Sequence, residues 1–193
     1  MSESPVKRGK LFVYSGASGV GKGTIMKRIL AEDKTTRLSV SATTRAPRPG
    51  ETHGKEYFFI TREEFDKMIA EDGFMEYATY CDNSYGTPRK AVEDMLSEGI
   101  NVFLEIDVVG ALNIIRDYPD CVSIFILPPD FDVLEHRLRK RGTEKEEQII
   151  SRLETAKKEI TMADHYKYNV VNADLEDAVQ EVLSIVRQET GRE

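Results

Sequence analysis

The chain has 193 residues and a mass of 21.9 kDa, enough for one substantial core with small inserted units, and 40% hydrophobic with 32% charged residues is ordinary for a folded soluble protein. A net charge of -7 and a pI near 5.2 argue against a broad surface for nucleic-acid polymers or anionic membranes. The polar start Met1–Lys10 lacks the apolar run of a signal peptide and no stretch approaches ~18 uninterrupted apolar residues, so a cytoplasmic chain without a membrane span is expected.

After a polar tail over residues 1–8, the apolar run Leu11–Tyr14 predicts a buried strand. It leads directly into Gly16-Ala17-Ser18-Gly19-Val20-Gly21-Lys22-Gly23-Thr24, behind which Ile25, Met26, Ile29 and Leu30 recur at helical spacing. Strand, glycine-rich loop, lysine and helix in this order form a phosphate-binding loop. The glycines let the backbone wrap closely, so that N–H groups and the helix N-terminus point at phosphate oxygens. Lys22 adds a compact charge for the β- and γ-phosphates. Gly23 stands where most such loops carry a hydroxyl residue that ligates Mg²⁺, and Thr24 follows it, which puts direct metal ligation by the loop in question. The Asn-Lys-x-Asp segment with which GTPases read guanine is absent.

Residues 43–60 break the rhythm with Arg45, Pro47, Arg48, Pro49, Gly50, His53 and Gly54 before Tyr57-Phe58-Phe59-Ile60. That density of proline and glycine excludes a regular helix and predicts a loop feeding a small β-unit. Arg45 and Arg48, three residues apart on a constrained loop, have the chemistry to converge on one phosphate. Thr61 and Glu64 form a capping-box pattern ahead of Phe65, Met68 and Ile69, with Gly73 at the far end. Thr87-Pro88 is expected to cap and open a helix closed by Gly99. Further buried strands are predicted over Val102–Ile106 and Val122–Leu127, and a weaker one over Tyr168–Val171. Long helices are expected from about Glu144 to Met162 and from about Leu175 to Gln188. Alternating strands and helices of this kind predict an α/β fold with a largely parallel sheet. Cys81 and Cys121 are expected to be reduced thiols, and His53, His136 and His165 lack metal-ligand spacing.

The segment Ser41-Ala42-Thr43-Thr44-Arg45-Ala46-Pro47-Arg48-Pro49-Gly50-Glu51, with Gly54 and Tyr57, resembles the GMP-binding signature of guanylate kinases. The resemblance runs from about Gly9 to Gln188 through Phe74-Met75-Glu76, Asn83-Ser84-Tyr85-Gly86-Thr87, Leu104-Glu105-Ile106-Asp107, Arg141-Gly142-Thr143 with Arg152, and Val171-Asn172-Ala173-Asp174. It implies the P-loop nucleoside-monophosphate-kinase fold over residues 9–188: a mostly parallel sheet flanked by helices, a GMP-binding insert at about 42–88, and a mobile lid at about 130–158. It further implies Mg²⁺-dependent transfer of the γ-phosphoryl group of ATP to GMP and dGMP, in purine nucleotide metabolism. Ala17, Ser84 and Val109 replace the commoner proline, tyrosine and glutamine.

Carried over by position, the resemblance gives Arg45, Arg48, Tyr57 and Tyr85 to the GMP phosphate. Ser41, Glu76 and Thr87 read guanine, with Asp107 near the base and near the metal, reaching it through water. A carboxylate suits guanine, which offers two donors on one edge, and not adenine, which presents an acceptor at N1. The loop Gly16–Thr24 takes ATP phosphates, Arg137 and Asn172 lie near adenine, and Arg141 and Arg152 reach the transferring group beside Lys22 and Arg45. ATP and GMP are thus the expected partners, with no nucleic-acid polymer and no membrane. The competing expectation is a guanylate-kinase-like interaction module that binds phosphorylated peptides without catalysis. Such modules typically carry degraded phosphate loops, whereas here the glycines, Lys22 and both lid arginines are intact.

Overall fold

The computed structural model describes residues 7–80, 82–140 and 146–191. Arg141 and Cys81 therefore lie outside the described residues, as does the expected start of the charged helix at Glu144. Strands β1 (Leu11–Gly16), β2 (Thr36–Leu38), β7 (Asn101–Glu105), β8 (Val122–Leu127) and β9 (Tyr168–Val171) form a five-stranded sheet in the order β2-β7-β1-β8-β9. Every pairing in it is parallel. A parallel sheet must be covered on both faces, and β1 alternates accordingly. Phe12 and Tyr14 enter one core with helices α1 (Lys22–Glu32), α5 (Phe131–Lys140), α6 (Glu146–Ile160) and α7 (Leu175–Thr190). Leu11 and Val13 enter a second core with α3 (Arg89–Ser97) and α4 (Val108–Asp117) on the opposite face. Phe103 on β7 stacks on Phe12 with ring centroids 4.7 Å apart, and Tyr14 meets it edge-on at 5.9 Å.

A second sheet, in the order β4-β3-β6-β5, is built from β3 (Ala42–Thr43), β4 (Phe58–Phe59), β5 (Phe74–Tyr80) and β6 (Asn83–Pro88). Its own small core joins Ala42, Phe65 and Phe74 beneath α2 (Arg62–Ala70). The capping box at the start of α2 forms as expected, with Thr61 Oγ1 accepting from the Glu64 N–H and Glu64 Oε2 accepting from the Thr61 N–H.

Two local expectations need correction. Thr87 does not cap α3: Pro88 takes that position without a side-chain bond, and Thr87 is a buried residue of β6. Its hydroxyl is engaged elsewhere, by a carboxylate across the sheet. The three-residue edge strand β2 was not anticipated, because Thr36-Arg37-Leu38 is too short to show a period and is defined only by pairing with β7. Among the described residues no helix is long and apolar enough to cross a membrane.

Candidate functional site

The glycine-rich loop joins the end of β1 to the start of α1. Gly21 holds φ at +100°, a conformation that L side chains rarely adopt, and a Cβ there would fall 2.9 Å from Asn172 Nδ2. No side chain caps the N-terminus of α1, which leaves it suited to an anion. Lys22 folds back over the loop, its Nζ donating to Gly16 O at 2.5 Å and Ala17 O at 3.2 Å. Burial lowers the Lys22 pKa, while the nearby carboxylates of Glu159, Glu105 and Asp107 pull it up.

Two long-range contacts tie α6 to this loop. Glu159 Oε2 accepts a hydrogen bond from the Ser18 N–H at 2.7 Å, and Arg152 Nε donates to Ser18 Oγ at 3.1 Å. On the far side, Asn172 is buried after β9 and donates its Nδ2 to Val20 O at 2.8 Å. Arg137 on α5 donates to Asn172 O at 3.1 Å. Arg137 and Asn172 share a cavity with Gly19, Val20, Gly21 and Thr24.

Across from the loop, the second sheet assembles the remaining candidates. Arg45 is clamped by Glu51 through two bonds of 2.9 Å, and its guanidinium lies over the rings of Tyr57 and Phe59 at 5.5 and 5.6 Å. Tyr85 meets Tyr57 edge-on at 6.0 Å. Arg48 is exposed and joins this cluster through its backbone N–H, which donates to Glu51 at 2.7 Å. These bonds hold the Glu51 carboxyl below the usual range and raise Arg45. The anionic partner of Arg45 is thus the carboxylate of Glu51.

Glu76 on β5 is half-buried and accepts from Thr87 Oγ1 at 2.6 Å. Burial raises its pKa and Asp107 adds to the rise, while the Thr87 bond opposes it. Room for this carboxylate comes from Gly110 on α4, where an added Cβ would fall 2.8 Å from Glu76 Oε2. Asp107 caps α4 by accepting from the Gly110 N–H at 2.7 Å. A single cavity is lined by Gly16, Ser18 and Lys22 from the loop side and by Ser41, Tyr57, Glu105, Asp107 and Glu159 facing them. Two ends of one reaction can meet there.

Sequence reasoning missed three participants. Glu51 closes the Ser41–Glu51 motif with no role legible in the sequence, although it organises both arginines. Glu159 falls inside the helix expected from about Glu144 to Met162 with nothing in the sequence to single it out, and only the fold brings it to Ser18. Ser39 also lines the cavity, with a buried Oγ that has no hydrogen-bond partner among the described residues. The Ser39-x-Ser41 spacing was the one available signal for it.

The described residues contain no group of three or more His, Cys, Asp or Glu side chains able to hold an ion between them. Glu105 and Asp107 at the end of β7 do share the cavity with Lys22. One or two carboxylates beside a phosphate site fit a Mg²⁺ ion that arrives with nucleotide phosphates and keeps several waters.

A family model described as guanylate kinase matches residues 8–189. The chain is 48% identical over 186 residues to a guanylate kinase of Caldanaerobacter subterraneus subsp. tengcongensis, covering 96% of this chain and 90% of that protein. It is 46% identical over 183 residues to a guanylate kinase of Oceanobacillus iheyensis, covering 95% and 89%. The crystal structure of guanylate kinase from Anaplasma phagocytophilum superposes with a TM-score of 0.76 at 34% identity, covering 95% of this chain and 87% of that one.

Proposed function

The chain belongs to the guanylate kinase family, and from that premise we propose that it transfers the γ-phosphoryl group of ATP to GMP and dGMP, giving ADP and GDP or dGDP. The observation that carries this reading is the shared cavity, with Lys22 of the phosphate loop on one side and Ser41, Tyr57 and Asp107 on the other. Donor and acceptor phosphates brought to that space would react directly. A GMP phosphate oxygen forms a bond to the γ-phosphorus as the bond from that phosphorus to the β,γ-bridging oxygen breaks, and the electron pair leaves with ADP. No covalent enzyme intermediate is needed, so the protein's task is alignment and charge stabilisation.

In this reading the loop Gly16–Thr24 holds the ATP phosphates and Lys22 spreads charge off the moving group. Arg137 and Asn172, joined by a hydrogen bond, flank the adenine side. Tyr57, Tyr85 and Arg48 hold the GMP phosphate together with Arg45, which exchanges Glu51 for the incoming dianion. Glu76 accepts from the N1–H and 2-amino group of guanine, while Ser41 and Thr87 contribute hydroxyls. Arg152 approaches the transferring phosphoryl group from α6, and Arg141, outside the described residues, is given the same role by the family resemblance. Mg²⁺ held by ATP oxygens and water beside Asp107 and Glu105 would neutralise phosphate charge. Thr24, exposed in the first turn of α1, would bond a phosphate oxygen. The donor and acceptor are small molecules of the cytoplasm, the location proposed for the chain.

The test is ADP formation with GMP, dGMP, AMP, CMP and UMP as acceptors. Strong preference for the guanine nucleotides is expected, and comparable rates with AMP would remove the specificity reading. ATP-independent binding of a phosphopeptide with no phosphoryl transfer would favour the interaction module, but the complete loop with Lys22 in place speaks for catalysis.

A further inference from the structure

We infer that Glu159 is an internal occupant of the phosphate loop, a carboxylate held where a donor phosphate oxygen binds, and that its displacement by the nucleotide leaves Arg152, already at Ser18, as the α6 side chain facing that phosphate. The inference rests on the loop reading given above. Its geometry is specific. Glu159 Oε2 takes the Ser18 N–H at 2.7 Å, using one of the backbone donors that a phosphate-binding loop offers to its ligand. The same carboxylate lines the cavity with Gly16, Ser18 and Lys22, and it interacts favourably with the Lys22 charge. An anion, a loop N–H and the loop lysine are the parts of a bound phosphate, supplied here by the chain itself.

Burial raises the Glu159 pKa and Asp107 adds to the rise, while the Ser18 N–H, Lys22 and Arg152 oppose it. A half-buried carboxylate on a surface helix would lose less solvation by turning outward, so the contact persists because the loop donors and Lys22 attract it. A polyphosphate brings more negative charge to the same donors and competes directly.

The consequence for the lid follows from helical spacing. Arg152 and Glu159 are seven residues apart on α6, two turns along one side of the helix. Both contact Ser18, Arg152 through its Nε to Oγ at 3.1 Å. The two side chains thus tether α6 to the loop. When phosphate takes the Ser18 N–H, like charge expels Glu159, while Arg152 gains an oxyanion in the same place. Donor binding thus exchanges a repelled group for an attracted one on a single helix face. Glu159 acts through the loop and through Arg152, so it is a positioning residue.

The experiment measures ADP and ATP affinity by calorimetry for wild type, Glu159→Gln, Glu159→Ala and Lys22→Ala. A loop free of its own carboxylate for only about a tenth to a third of the time has its affinity reduced by that fraction, so Glu159→Gln and Glu159→Ala are expected to bind ADP about threefold to tenfold more tightly. Hydrogen exchange at the Ser18 amide without nucleotide is expected to speed up in Glu159→Ala. If Glu159 merely braces the loop, both variants bind ADP more weakly than wild type. Weaker or unchanged affinity in Glu159→Gln with an unaltered melting temperature overturns the inference. If Glu159→Gln proves unstable, the Glu159→Ala affinity decides by the same criterion. Unchanged ADP and ATP affinity in Lys22→Ala would instead remove the loop reading itself, a separate outcome.

Discussion

The side chain proposed to read guanine is Glu76, and its environment sets two opposing demands. Burial favours the neutral acid, whereas accepting two hydrogen bonds requires the carboxylate. Since the folded-state pKa is raised, the carboxylate is lost on acidification at a higher pH than for an exposed glutamate. kcat/KM for GMP, which reports the free enzyme, should therefore fall on an acid limb lying above the ordinary glutamate range. Glu76→Gln should remove that limb and cost about 1–3 kcal/mol in GMP use, because an amide NH₂ then faces guanine donors. A pH–rate profile for both proteins checks this, and an identical limb in the mutant assigns it to another carboxylate. Gly110→Ala should reproduce part of the loss, since its Cβ would fall 2.8 Å from Glu76 Oε2 and the carboxylate would have to move. A double mutant with Glu76→Gln should then show less than the sum of the two effects. Full additivity would mean that Gly110 acts independently of Glu76.

Individual elements act through their ends. The N-terminal cap of α4 is Asp107, which is also the carboxylate proposed near the metal. Asparagine is about as good a cap as aspartate, so Asp107→Asn keeps the helix start and removes only the charge. It should raise the Mg²⁺ concentration needed for half-maximal rate, whereas a wild-type titration would relieve Asp107 of that role. Gly23→Ser should be tolerated in the same titration, because a Cβ there meets only Glu105 Oε1, at an ordinary 3.7 Å. On α6, Arg152 reaches Ser18, yet its proposed value comes when charge moves. Arg152→Ala should lower kcat far more than it raises KM for GMP. A change in KM alone would make it a ground-state contact.

The molecule as a whole separates two tasks between two sheets. The parallel sheet fixes the phosphate loop, and the smaller sheet with its own core of Ala42, Phe65 and Phe74 fixes Tyr85, Glu76 and Thr87. Phe65 is fully buried and packs on Phe74 with centroids 4.4 Å apart. Phe65→Leu should therefore loosen the acceptor side selectively, raising KM for GMP while leaving ADP affinity near wild type at temperatures well below the melting point. Steady-state kinetics and ADP calorimetry on the same preparation decide this, and a parallel loss of both affinities would show that the two cores respond as one.

The sequence by itself determined what is local or strongly periodic. Strand β8 matches its apolar run from end to end, because a strand buried on both faces admits little else, and the half-exposed edge strand β9 also keeps the predicted bounds. The loop was legible because glycine spacing and Lys22 are chemical requirements of phosphate binding, and the α2 cap because its hydrogen bonds close within four residues. Tertiary structure alone decided the rest. Thr87 looked like a cap until strand pairing turned its hydroxyl toward Glu76, eleven positions away. Glu159 was an unremarked helix residue until the fold brought it to Ser18 across 141 positions. A carboxylate's role depends on the donors around it, and when those donors come from distant segments no local spacing encodes their meeting.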